Sequence, residues 1–535
     1  MQITELLTAS KILVKTLQKL EFDTIFGYPG SAVLEIYDAL SMQNKIKHYL
    51  LRHEQSAVHA AEGYARVSGK CGVVVVTSGP GASNTVTGIA NAYMDGFPLI
   101  VISGQVSSEK CGKNSFQELN FTDIVKTCTK AAFKITSADE LESTLLEAYL
   151  IAMSGKKGPV VIDIPKNILS EKTEYKNLSL PTDKMNDIAS VDILKVLEIL
   201  KASKSPLIVC GGGVMHAQAA QELTEFVNQT NIPVVSTMMG IGAFPQTHPA
   251  YVGMIGVYGK TSANNLLFDA DTLLVLGARF NDRVTDAFNI NDLNRKTIIQ
   301  VDINSNELIK NLSSDIALNL DIKAFLKVLL NNLPPTLEFD YFKPEFAPES
   351  PSGKTLTAEK AAQYLYNYTK PFSPVVAVEV GQHQISLIKN YKFTEPRKLL
   401  TSGGLGAMGF GFPAAIGASV ANGFKDPVVL VTGDGSFQMN LPELAVCKEH
   451  NLPVKIFIIN NSGLGMVRRL QQEQCGQRYF ETSLQNPDFV MLAKSYGIDA
   501  VRVESEEEII PALESAFETK SPFVIEFVTD SEDVL

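Results

Sequence analysis

Two short polar motifs in the last third of the chain have the residue types of a metal site. Gly433-Asp434-Gly435 follows the apolar segment Pro427 to Thr432, and Asn460-Asn461 follows the apolar segment Val454 to Ile459. The residues between the motifs suffice for one right-handed crossover, so both motifs should lie at the same edge of a parallel sheet. A carboxylate and an amide oxygen suit a hard cation such as Mg²⁺, which often completes its shell with phosphate oxygens. The glycines would let the backbone approach those phosphates closely.

Either motif alone is a weak signal, because Gly-Asp-Gly and Asn-Asn are common turn sequences. Their succession in one strand-helix-strand frame favours a cation and phosphate site over two unrelated turns. A further acidic candidate, Glu54, stands in the segment Leu51 to Ala65, where a strand should end and a helix begin. A glutamate in a first helical turn is usually a surface charge matched to the helix dipole. The position of Glu54 by itself therefore assigns it no chemistry.

Short β-branched segments alternate with longer amphipathic segments along the whole chain. Continuous apolar strands between helices indicate parallel sheets covered on both faces, so we predict an α/β fold of three open, doubly wound domains. The other predicted strands are Gly72 to Thr77, Leu99 to Ser103, Pro206 to Cys210, Pro233 to Ser236, Thr272 to Leu276, Thr297 to Val301, Val375 to Val380 and Phe523 to Phe527. The predicted helices include Ser56 to Ser68, Ala82 to Met94 and Leu441 to His450.

Two stretches are predicted to be linkers. Asn167 to Asp187 and Pro334 to Lys354 lack a helical period, and the second is rich in Pro and Glu. They divide the chain into an N-terminal domain at 1–168, a central domain at 188–333 and a C-terminal domain at 355–535. Three domains agree with a length of 535 residues at roughly 100–200 residues per domain.

The bulk composition excludes some classes of partner. The formal net charge is -11 and no basic stripe is present, so nucleic acid is not expected as a partner. Six cysteines without a C-x-x-C pair indicate reduced thiols. The N-terminal segment lacks the apolar core of a signal peptide, and the apolar runs are too short to cross a bilayer. We therefore expect a cytoplasmic protein without a membrane attachment.

Gly-Asp-Gly followed by Asn-Asn at this distance resembles the signature of enzymes that use thiamine diphosphate. The resemblance implies that Asp434, Asn461 and the backbone carbonyl of Gly463 hold Mg²⁺. It also implies a segment beside the diphosphate, and a segment beside the aminopyrimidine ring with Met408 beneath the V-shaped cofactor. The residues that it assigns to this cofactor are Val380, Gly381, Gln382, His383, Gly406, Met408, Gly433, Asp434, Gly435, Ser436, Asn461, Gly463, Leu464, Gly465 and Met466.

The segment Leu51 to Ala65 resembles the part of these enzymes that carries the catalytic glutamate. The resemblance implies that the Glu54 carboxyl lies against N1′ of the aminopyrimidine. That contact favours the imino form of the ring, whose nitrogen removes the proton from the thiazolium carbon C2. Burial against the ring would raise the pKa of the carboxyl and keep a proton shared there.

Five further segments resemble the catalytic subunit of acetolactate (acetohydroxyacid) synthase, and this resemblance covers nearly the whole chain. The segments are Phe26–Gly30, Thr77–Gly81, Phe116–Glu118, Met238–Gly240 and Gly277–Arg283. That family decarboxylates pyruvate on thiamine diphosphate and joins the hydroxyethyl unit to a second 2-ketoacid. With pyruvate as the acceptor it gives 2-acetolactate and CO₂, and it begins branched-chain amino acid biosynthesis.

The same resemblance implies roles for six residues around the substrates. Glu54 is the catalytic glutamate, and Gln117 and the backbone of Gly30 lie near the reacting oxygens. Phe116 and Lys166 line the entrance. Arg283 grips the carboxylate of the second ketoacid, which a guanidinium can do with two hydrogen bonds. The other interpretation of Arg283 is a surface ion pair with Asp282.

The central domain carries a glycine triplet, Gly211-Gly212-Gly213, after a predicted strand. The triplet could receive a phosphate, although a plain tight turn explains it equally well. The resemblance implies that this domain binds FAD, which in the synthase branch has a structural role. The residues implied are Gly211, Gly212, Gly213, Thr237, Met238, Met239, Gly277, Arg279, Asp302, Ile303 and Asp321. One position departs from the family, because Tyr258 stands where a histidine is usual.

Three features depart from the family at the acceptor end. The chain has no Trp, and Leu470 replaces a Trp that favours 2-ketobutyrate and on which some herbicides stack. We therefore expect no preference for 2-ketobutyrate and poor binding of such herbicides. Ser107, Ser108 and Glu109 stand where Pro and basic residues are usual. The sequence stops at Leu535 without the tail that closes over the site in relatives, so we expect a more open mouth or a different acceptor.

Three alternatives remain beside the synthase. They are a related carboligase or decarboxylase with another acceptor, a pyruvate oxidase-like flavoenzyme, and a relative that binds the cofactor without catalysis. Phe116–Glu118 and Gly277–Arg283 favour the synthase over the oxidase, and the presence of Glu54, Asp434 and Asn461 argues against a non-catalytic protein.

The assembly can also be predicted. Glu54 and the metal motifs lie in different domains, and in this family the two come from different subunits. We therefore predict a homodimer or homotetramer with shared active sites, and the sequence leaves a regulatory small subunit open.

Overall fold

The computed structural model describes residues 5–180, 190–288, 293, 295–308, 310–335, 337–339 and 356–530. Within these residues, three six-stranded sheets follow one another along the chain, and every pair of neighbouring strands in them is parallel. Helices separate the strands, so the predicted α/β fold of three doubly wound sheets is confirmed. No helix in this part of the chain has the length and the apolar character needed to span a membrane.

The first sheet has the strand order β3-β2-β4-β5-β7-β6. The strands of this block are β1 Leu6–Thr8, β2 Thr24–Tyr28, β3 Lys47–Leu50, β4 Gly72–Val76, β5 Leu99–Gln105, β6 Ala131–Lys134, β7 Pro159–Pro165 and β8 Lys172–Glu174. Its helices are Ala9–Lys19, Leu34–Ser41, Glu54–Ser68, Pro80–Ser83, Val86–Asp95, Phe121–Val125, Leu141–Met153 and Lys166–Ser170.

Two sequence expectations for this block need correction. Residues from 167 onward were expected to be a linker, but the helix Lys166–Ser170 occupies the start of that segment, and β8 pairs antiparallel with β1. The first block therefore extends at least to Glu174. The helix expected from Ala82 to Met94 is divided in two, because the chain turns at Asn84 and Thr85, where the Thr85 hydroxyl donates to the Ala82 carbonyl at 2.6 Å.

The second sheet has the order β11-β10-β9-β12-β13-β14. Its strands are β9 Pro206–Cys210, β10 Val234–Ser236, β11 Tyr251–Met254, β12 Thr272–Leu276, β13 Thr297–Val301 and β14 Ile316–Leu318. The helices of this block are Ser190–Ala202, Gly212–His216, Ala220–Thr230, Thr261–Asp269, Asp282–Thr285 and Ile322–Asn331. All residues of β9 and β12 are buried, which explains why these strands are apolar throughout instead of alternating.

The third sheet has the order β16-β15-β17-β18-β20-β19. Its strands are β15 Val375–Val378, β16 Leu399–Leu400, β17 Val428–Gly433, β18 Val454–Asn460, β19 Asp499–Val503 and β20 Phe523–Val528. The helices are Ala358–Thr369, Gln382–Asn390, Gly411–Ala421, Asp434–Gln438, Leu444–Glu449, Gly465–Gln474, Phe489–Ser495 and Ile509–Glu518. The predicted helix from Leu441 begins as a 3₁₀ turn, Leu441–Glu443.

The first and third blocks pack against each other through two helices. Glu54–Ser68 crosses Gly411–Ala421 closely enough that a Cβ at Gly63 would overlap the Ala414 carbonyl. A Cβ at Gly417 would likewise overlap the Ala60 carbonyl. Glycine is therefore required at both contacts, and apolar residues of the two blocks form one continuous core.

Each sheet has a reversal of strand order where its first strands give way to strands that lie later in the chain. The reversals lie between β2 and β4, between β9 and β12, and between β15 and β17. Crevices at such reversals, outside the carboxyl ends of the strands, are where open α/β sheets bind ligands. Several segments predicted to contact cofactors or substrates follow strands that flank these reversals, among them Gly30 after β2, Gly211–Gly213 after β9, Gly277 after β12, Val380 after β15 and Asp434 after β17.

Candidate active site

The carboxylate of Asp434 lies at the reversal of the third sheet and is almost fully buried. Its Oδ2 accepts the backbone N–H of Gly463 at 3.2 Å and the side-chain amide of Asn486 at 2.6 Å. Its Oδ1 accepts the N–H of Gly435 at 2.9 Å. Burial raises the pKa of Asp434, and these hydrogen bonds oppose the rise. The loop after β18 is thus joined to the end of β17.

The two asparagines after β18 point to different surroundings. Asn460 is buried, and its amide donates to Glu526 at 2.7 Å, so it braces the sheet. Asn461 is partly exposed, and its side-chain nitrogen lies 2.9 Å from the position that a Cβ at Gly465 would take. Asn461 therefore faces the same loop as Asp434, whereas Asn460 is committed to structure. Asn486, which donates to both Asp434 and Asn460, was not found from the sequence.

No group of three His, Cys, Asp or Glu side chains in the described ranges could hold a metal ion. A cation at Asp434 would accordingly depend on amide, carbonyl and phosphate oxygens for its other ligands. That donor set is the one that Mg²⁺ prefers when it is bound together with a phosphorylated ligand.

Glycines form a cradle beside this carboxylate. A Cβ at Gly381 or Gly433 would lie 2.7 Å or 2.9 Å from the His383 ring, and a Cβ at Gly465 would overlap the Gln382 amide. Gln382 Nε2 and His383 Nε2 are buried, and neither has a hydrogen-bond partner in the described part of the chain. Two orphaned nitrogens beside glycine backbone fit a ligand with phosphate oxygens.

Burial lowers the pKa of His383 to about 4, so the imidazole is neutral near pH 7, and a hydrogen bond to the Glu379 backbone opposes this shift. An anion at Nε2 would favour the protonated ring and raise that pKa. Binding of an anion there would thus oppose the effect of burial on the pKa of His383.

Glu379 is a fully buried carboxylate that the sequence did not single out. It accepts the backbone N–H groups of Gly409, Gly411 and Phe412 at 3.0, 2.6 and 3.2 Å. Burial raises its pKa to about 7. Glu379 thereby fixes the turn that follows Met408, and a carboxylate at the end of an apolar segment, three residues before Gln382, was the available signal.

Met408 and the loop after β18 converge on one glycine. A Cβ at Gly435 would lie 3.1 Å from Leu464 Cδ2 and 3.8 Å from Met408 Cε. Ser436 is buried beside it in the helix Asp434–Gln438, whereas Gly406 is exposed in a left-handed conformation with φ 69°.

The first sheet carries a second group of predicted residues. Glu54 begins the helix after β3, and its Oε2 accepts the side-chain amide of Asn84 at 3.0 Å. A Cβ at Gly81 would lie 3.4 Å from Glu54 Oε1, and a Cβ at Gly30 would lie 2.5 Å from the Thr77 Cβ. Gly30 and Glu54 thus stand at the reversal of this sheet, with Thr77 and Gly81 between them.

Gln117 and Phe116 border the same group. A Cβ at Gly79 would lie 3.0 Å from the Gln117 Cα, and Gln117 has a positive φ of 61°. Phe116 is 89% exposed, an unusual state for a phenylalanine, and Lys166 is exposed at the end of β7. The side chains expected at an entrance are therefore open to solvent in a single chain.

The three blocks enclose a cleft of about 1180 Å³. All the described residues assigned to FAD, except Gly211, line this cleft. Residues of the third block, such as Val380, Gly381, Met408 and Met466, also line it. Glu54 and Asp434 are not among its lining residues. Within one chain, the central block therefore faces the third-block segments that were predicted to contact thiamine diphosphate, whereas Glu54 lies outside this cleft.

Several lining residues of the cleft were missed from the sequence. Lys156 and Lys157 follow the helix Leu141–Met153, and burial lowers the pKa of both amines. His216 lies at the end of the helix Gly212–His216, and burial lowers its pKa to about 3. The lysine pair between a helix and a buried strand could have indicated an anion-binding position, since an acidic protein needs local cations to hold an anion.

Arg283 and Leu470, which were predicted to face the acceptor, are both exposed. Arg283 lines the cleft, and its guanidinium also pairs with Asp282 at 3.0 Å, with both side chains more than half exposed. Tyr258 lines the cleft as well, and its hydroxyl lies 3.7 Å from Met466 Sδ. Leu470 is 42% exposed on the helix Gly465–Gln474. The ion pair and the rim position of Arg283 are both observed.

Family models match most of the chain. The N-terminal TPP binding domain of thiamine pyrophosphate enzymes matches residues 7–124, the central domain matches residues 193–329, and the C-terminal TPP binding domain matches residues 379–527. The fold, the cradle and these matches define the class as thiamine pyrophosphate enzymes.

Curated relatives narrow the class. The acetolactate synthase large subunit of Buchnera aphidicola subsp. Schizaphis graminum is 38% identical over 99% of this chain and 96% of the relative. The large subunits of Haemophilus influenzae and Lactococcus lactis are also 38% identical, over 97% and 99% of this chain and 93% and 94% of the relatives. The chain belongs to the family of acetolactate synthase large subunits, which confirms the resemblance seen in its motifs.

Proposed function

We propose that this chain is a carboligase that decarboxylates pyruvate and joins the two-carbon unit to a second pyruvate, which gives 2-acetolactate and CO₂ for branched-chain amino acid biosynthesis. One observation carries the carboligase assignment. Arg283 stands on the rim of the cleft into which the cradle segments Val380–Gly381 and Met466 open. A guanidinium at that place can bind the carboxylate of an acceptor ketoacid.

The cradle fits thiamine diphosphate with Mg²⁺. Asp434, Asn461 and the Gly463 carbonyl would hold the cation, and Gln382 and His383 offer two unpartnered nitrogens toward the diphosphate. Thiamine diphosphate, when bound, supplies a carbon nucleophile and accepts the electron pair released by decarboxylation.

The protein supplies proton handling and orientation. The Glu54 carboxyl, oriented by Asn84, would hold a proton against the ring nitrogen N1′. Gln117 and the Gly30 backbone would position the ketone oxygens, and Phe116 and Lys166 would border the entrance. Arg283 would release Asp282 and bind the acceptor carboxylate, a modest exchange because an exposed ion pair is worth about 0–1 kcal/mol.

We also propose that the interdomain cleft holds FAD in a structural role. A cleft of about 1180 Å³ has room for a dinucleotide, and its lining includes glycine backbone at Gly212, Gly213 and Gly277 as well as the cations of Arg279, Lys156 and Lys157. Backbone N–H groups and cations together suit a diphosphate.

Two chains would form the complete site. Glu54 lies at the reversal of the first sheet and Asp434 at that of the third, and neither lines the interdomain cleft. Exposed Phe116 and Phe480, at 89% and 75%, are apolar surfaces that a second copy would cover. We propose a cytoplasmic homodimer or homotetramer with shared sites, and a regulatory small subunit as a further partner, because the relatives are named large subunits.

A product assay tests the reaction. Purified protein with Mg²⁺, thiamine diphosphate, FAD and pyruvate should form acetolactate, which is read as acetoin after acid treatment. Acetaldehyde alone would identify a decarboxylase, and peroxide under oxygen would identify an oxidase. Failure to consume pyruvate would reject the proposal.

A second candidate differs only in the acceptor. Leu470 presents an exposed aliphatic surface beside the cleft residue Val467, where the family has a flat aromatic ring. A larger keto compound could therefore replace the second pyruvate. Competition between pyruvate and larger 2-ketoacids, with both products quantified, separates the two acceptors.

A further inference from the structure

Asp95 stands where the three blocks of the chain meet. It ends the helix Val86–Asp95 of the first block, and its side chain is only 6% exposed. Its Oδ1 accepts the backbone N–H of Gly404 at 2.7 Å, and its Oδ2 accepts the N–H of Gly403 at 3.1 Å. The carboxylate therefore holds the start of the third-block segment Gly403–Met408.

The same helix holds this segment at a second point. Asn91 accepts the hydroxyl of Ser402, and the Ser402 hydroxyl accepts the backbone N–H of Ala407 at 2.8 Å. A Cβ at Gly404 would lie 2.8 Å from Asp95 Oδ1, so the contact leaves no space for movement toward the helix. The position of Gly403–Met408 thus follows the position of residues 91–95.

The central block holds the other side of Asp95. Arg279 donates to the Met94 carbonyl at 2.6 Å, and the His216 ring bonds the Asp95 carbonyl at 3.1 Å. Arg279, His216 and Met94 all line the interdomain cleft. A ligand that orders Arg279 or His216 would therefore act on the backbone that carries the Asp95 carboxylate.

A buried ion network makes this junction rigid. Arg66 donates to Asp95 Oδ2 and to Glu62 Oε1, at 2.6 Å each, and its guanidinium lies 4.1 Å from the centre of the Phe97 ring. Arg66 and Glu62 are themselves buried. Because partners of a buried charge cannot be replaced by water, the network favours one arrangement of Asp95 over intermediate ones.

We infer that Asp95 is a positioning residue that couples ligand binding in the interdomain cleft to the conformation of Gly403–Met408. This inference rests on the proposed binding of FAD in the cleft and adds a route by which a structural flavin acts on the thiamine site. Coupling is reciprocal, so FAD should tighten the binding of thiamine diphosphate by the same factor by which thiamine diphosphate tightens FAD.

Hydrogen exchange on the unmodified full chain gives the first test. FAD, added without thiamine diphosphate, should slow amide exchange in peptides that cover residues 402–411. Binding of FAD with no change in these peptides would overturn the coupling and leave the flavin site standing. Absence of any FAD binding would reject the flavin site and the coupling together.

Titration of a variant gives the second test. In the parent, FAD should lower the Kd of thiamine diphosphate, measured with Mg²⁺ present, by about fivefold or more. In Asp95→Asn the effect should fall below about twofold while FAD still binds, since the Asp95 side chain faces Gly403 and Gly404. The matched control Asp271→Asn, at the amino end of β12, should keep the parental effect. Equal coupling in Asp95→Asn and the parent would overturn the role of Asp95. If Asp95→Asn does not fold, the hydrogen-exchange experiment on the unmodified chain is the test of the coupling.

Discussion

Asp434 Oδ2 and the backbone nitrogen of Gly463 lie 3.2 Å apart, so two of the predicted metal-binding residues are joined by a hydrogen bond. The bond connects the end of β17 to the loop after β18. Asp434 supplies the one carboxylate in the proposed ligand set, and its charge should therefore contribute most to holding the cation.

Asp434→Asn should weaken the joint binding of Mg²⁺ and thiamine diphosphate by more than about 100-fold, since even changes behind the metal ligands cost roughly 10–100-fold. Isothermal titration calorimetry measures the loss. Asp271→Asn, which alters an aspartate that accepts the Lys204 N–H at 2.8 Å far from the cradle, should bind as the parent does. Parental affinity in Asp434→Asn would remove this residue from the ligand set.

Mixing two inactive variants tests whether the sites are shared between chains. Glu54→Gln and Asp434→Asn should each lose roughly 100-fold or more of turnover when pure. If each site takes Glu54 from one chain and Asp434 from the other, a mixed dimer keeps one intact site. Unfolding and refolding of an equal mixture should then restore about one quarter of parental activity, because half of the dimers are mixed and each has one working site of two.

Sites built within single chains would give a different result, since every site in the mixture would carry one defect. No recovery of activity, with mixed dimers demonstrated by mass spectrometry, would therefore contradict shared sites.

Asn84→Ala removes the side-chain amide that donates to Glu54 at 3.0 Å, and it should lower turnover less than Glu54→Gln does.

Arg283→Lys should raise the KM for the acceptor ketoacid about tenfold, because lysine keeps the charge but loses one charge-assisted hydrogen bond of about 1.5 kcal/mol. The Kd of thiamine diphosphate should not change. Steady-state kinetics with varied acceptor gives the first value and fluorescence titration the second. Asp282→Asn removes the exposed partner of Arg283 and should shift the KM by less than about threefold. An unchanged KM in Arg283→Lys would assign the guanidinium to the surface pair alone.

Leu470→Trp should increase the preference for 2-ketobutyrate over pyruvate as the acceptor by about tenfold. The additional methylene of 2-ketobutyrate would pack against the aromatic ring and lose its contact with water. The measurement is the ratio of acetohydroxybutyrate to acetolactate formed from equal concentrations of the two acceptors. Leu470→Met conserves volume without adding an aromatic ring and should leave the ratio unchanged. Equal ratios in Leu470→Trp and the parent would show that this position does not face the acceptor.

Asp163 should make stability depend on pH. Burial raises its pKa to about 6 from an ordinary 3.8, and hydrogen bonds from Ser103 and Gln105 at 2.7 and 2.9 Å together with the charge of Lys134 oppose the rise. The folded chain therefore binds more protons than the unfolded chain between these two values. The stabilising contribution of the protonated carboxyl is complete below pH 3.8 and is lost as the pH rises through 6.

As the pH rises between these two values, the free energy of unfolding of the parent should therefore fall by about 2–3 kcal/mol relative to that of Asp163→Asn. Thermal unfolding of both proteins across this range, compared as a difference in midpoint, measures the loss. Asp38→Asn, at an exposed position of the same block, should follow the parent. Parallel curves for the parent and Asp163→Asn would show that the carboxyl titrates normally.

The three parallel sheets and the class of enzyme could be predicted from the residue pattern alone. Strands such as Pro206–Cys210, Thr272–Leu276 and Thr297–Val301 were predicted with their observed bounds, because a strand buried on both faces must be apolar throughout and therefore leaves a local pattern. The Gly-Asp-Gly and Asn-Asn motifs also lie in one short segment, so their spacing indicated a shared sheet edge before any contact was known.

The polar groups that hold those motifs in place could not be predicted from the residue pattern, because they come from distant parts of the chain. Asp95 and Gly404 are 309 positions apart, Asn440 donates to Ser56 across 384 positions, and β8 closes on β1 from a segment that has no strand pattern. A buried carboxylate such as Glu379 or Asp95 is satisfied by backbone N–H groups of distant loops, and backbone donors carry no residue identity that a sequence pattern could show. The arrangement of the cleft between the blocks depends on such contacts and therefore became visible only in the folded chain.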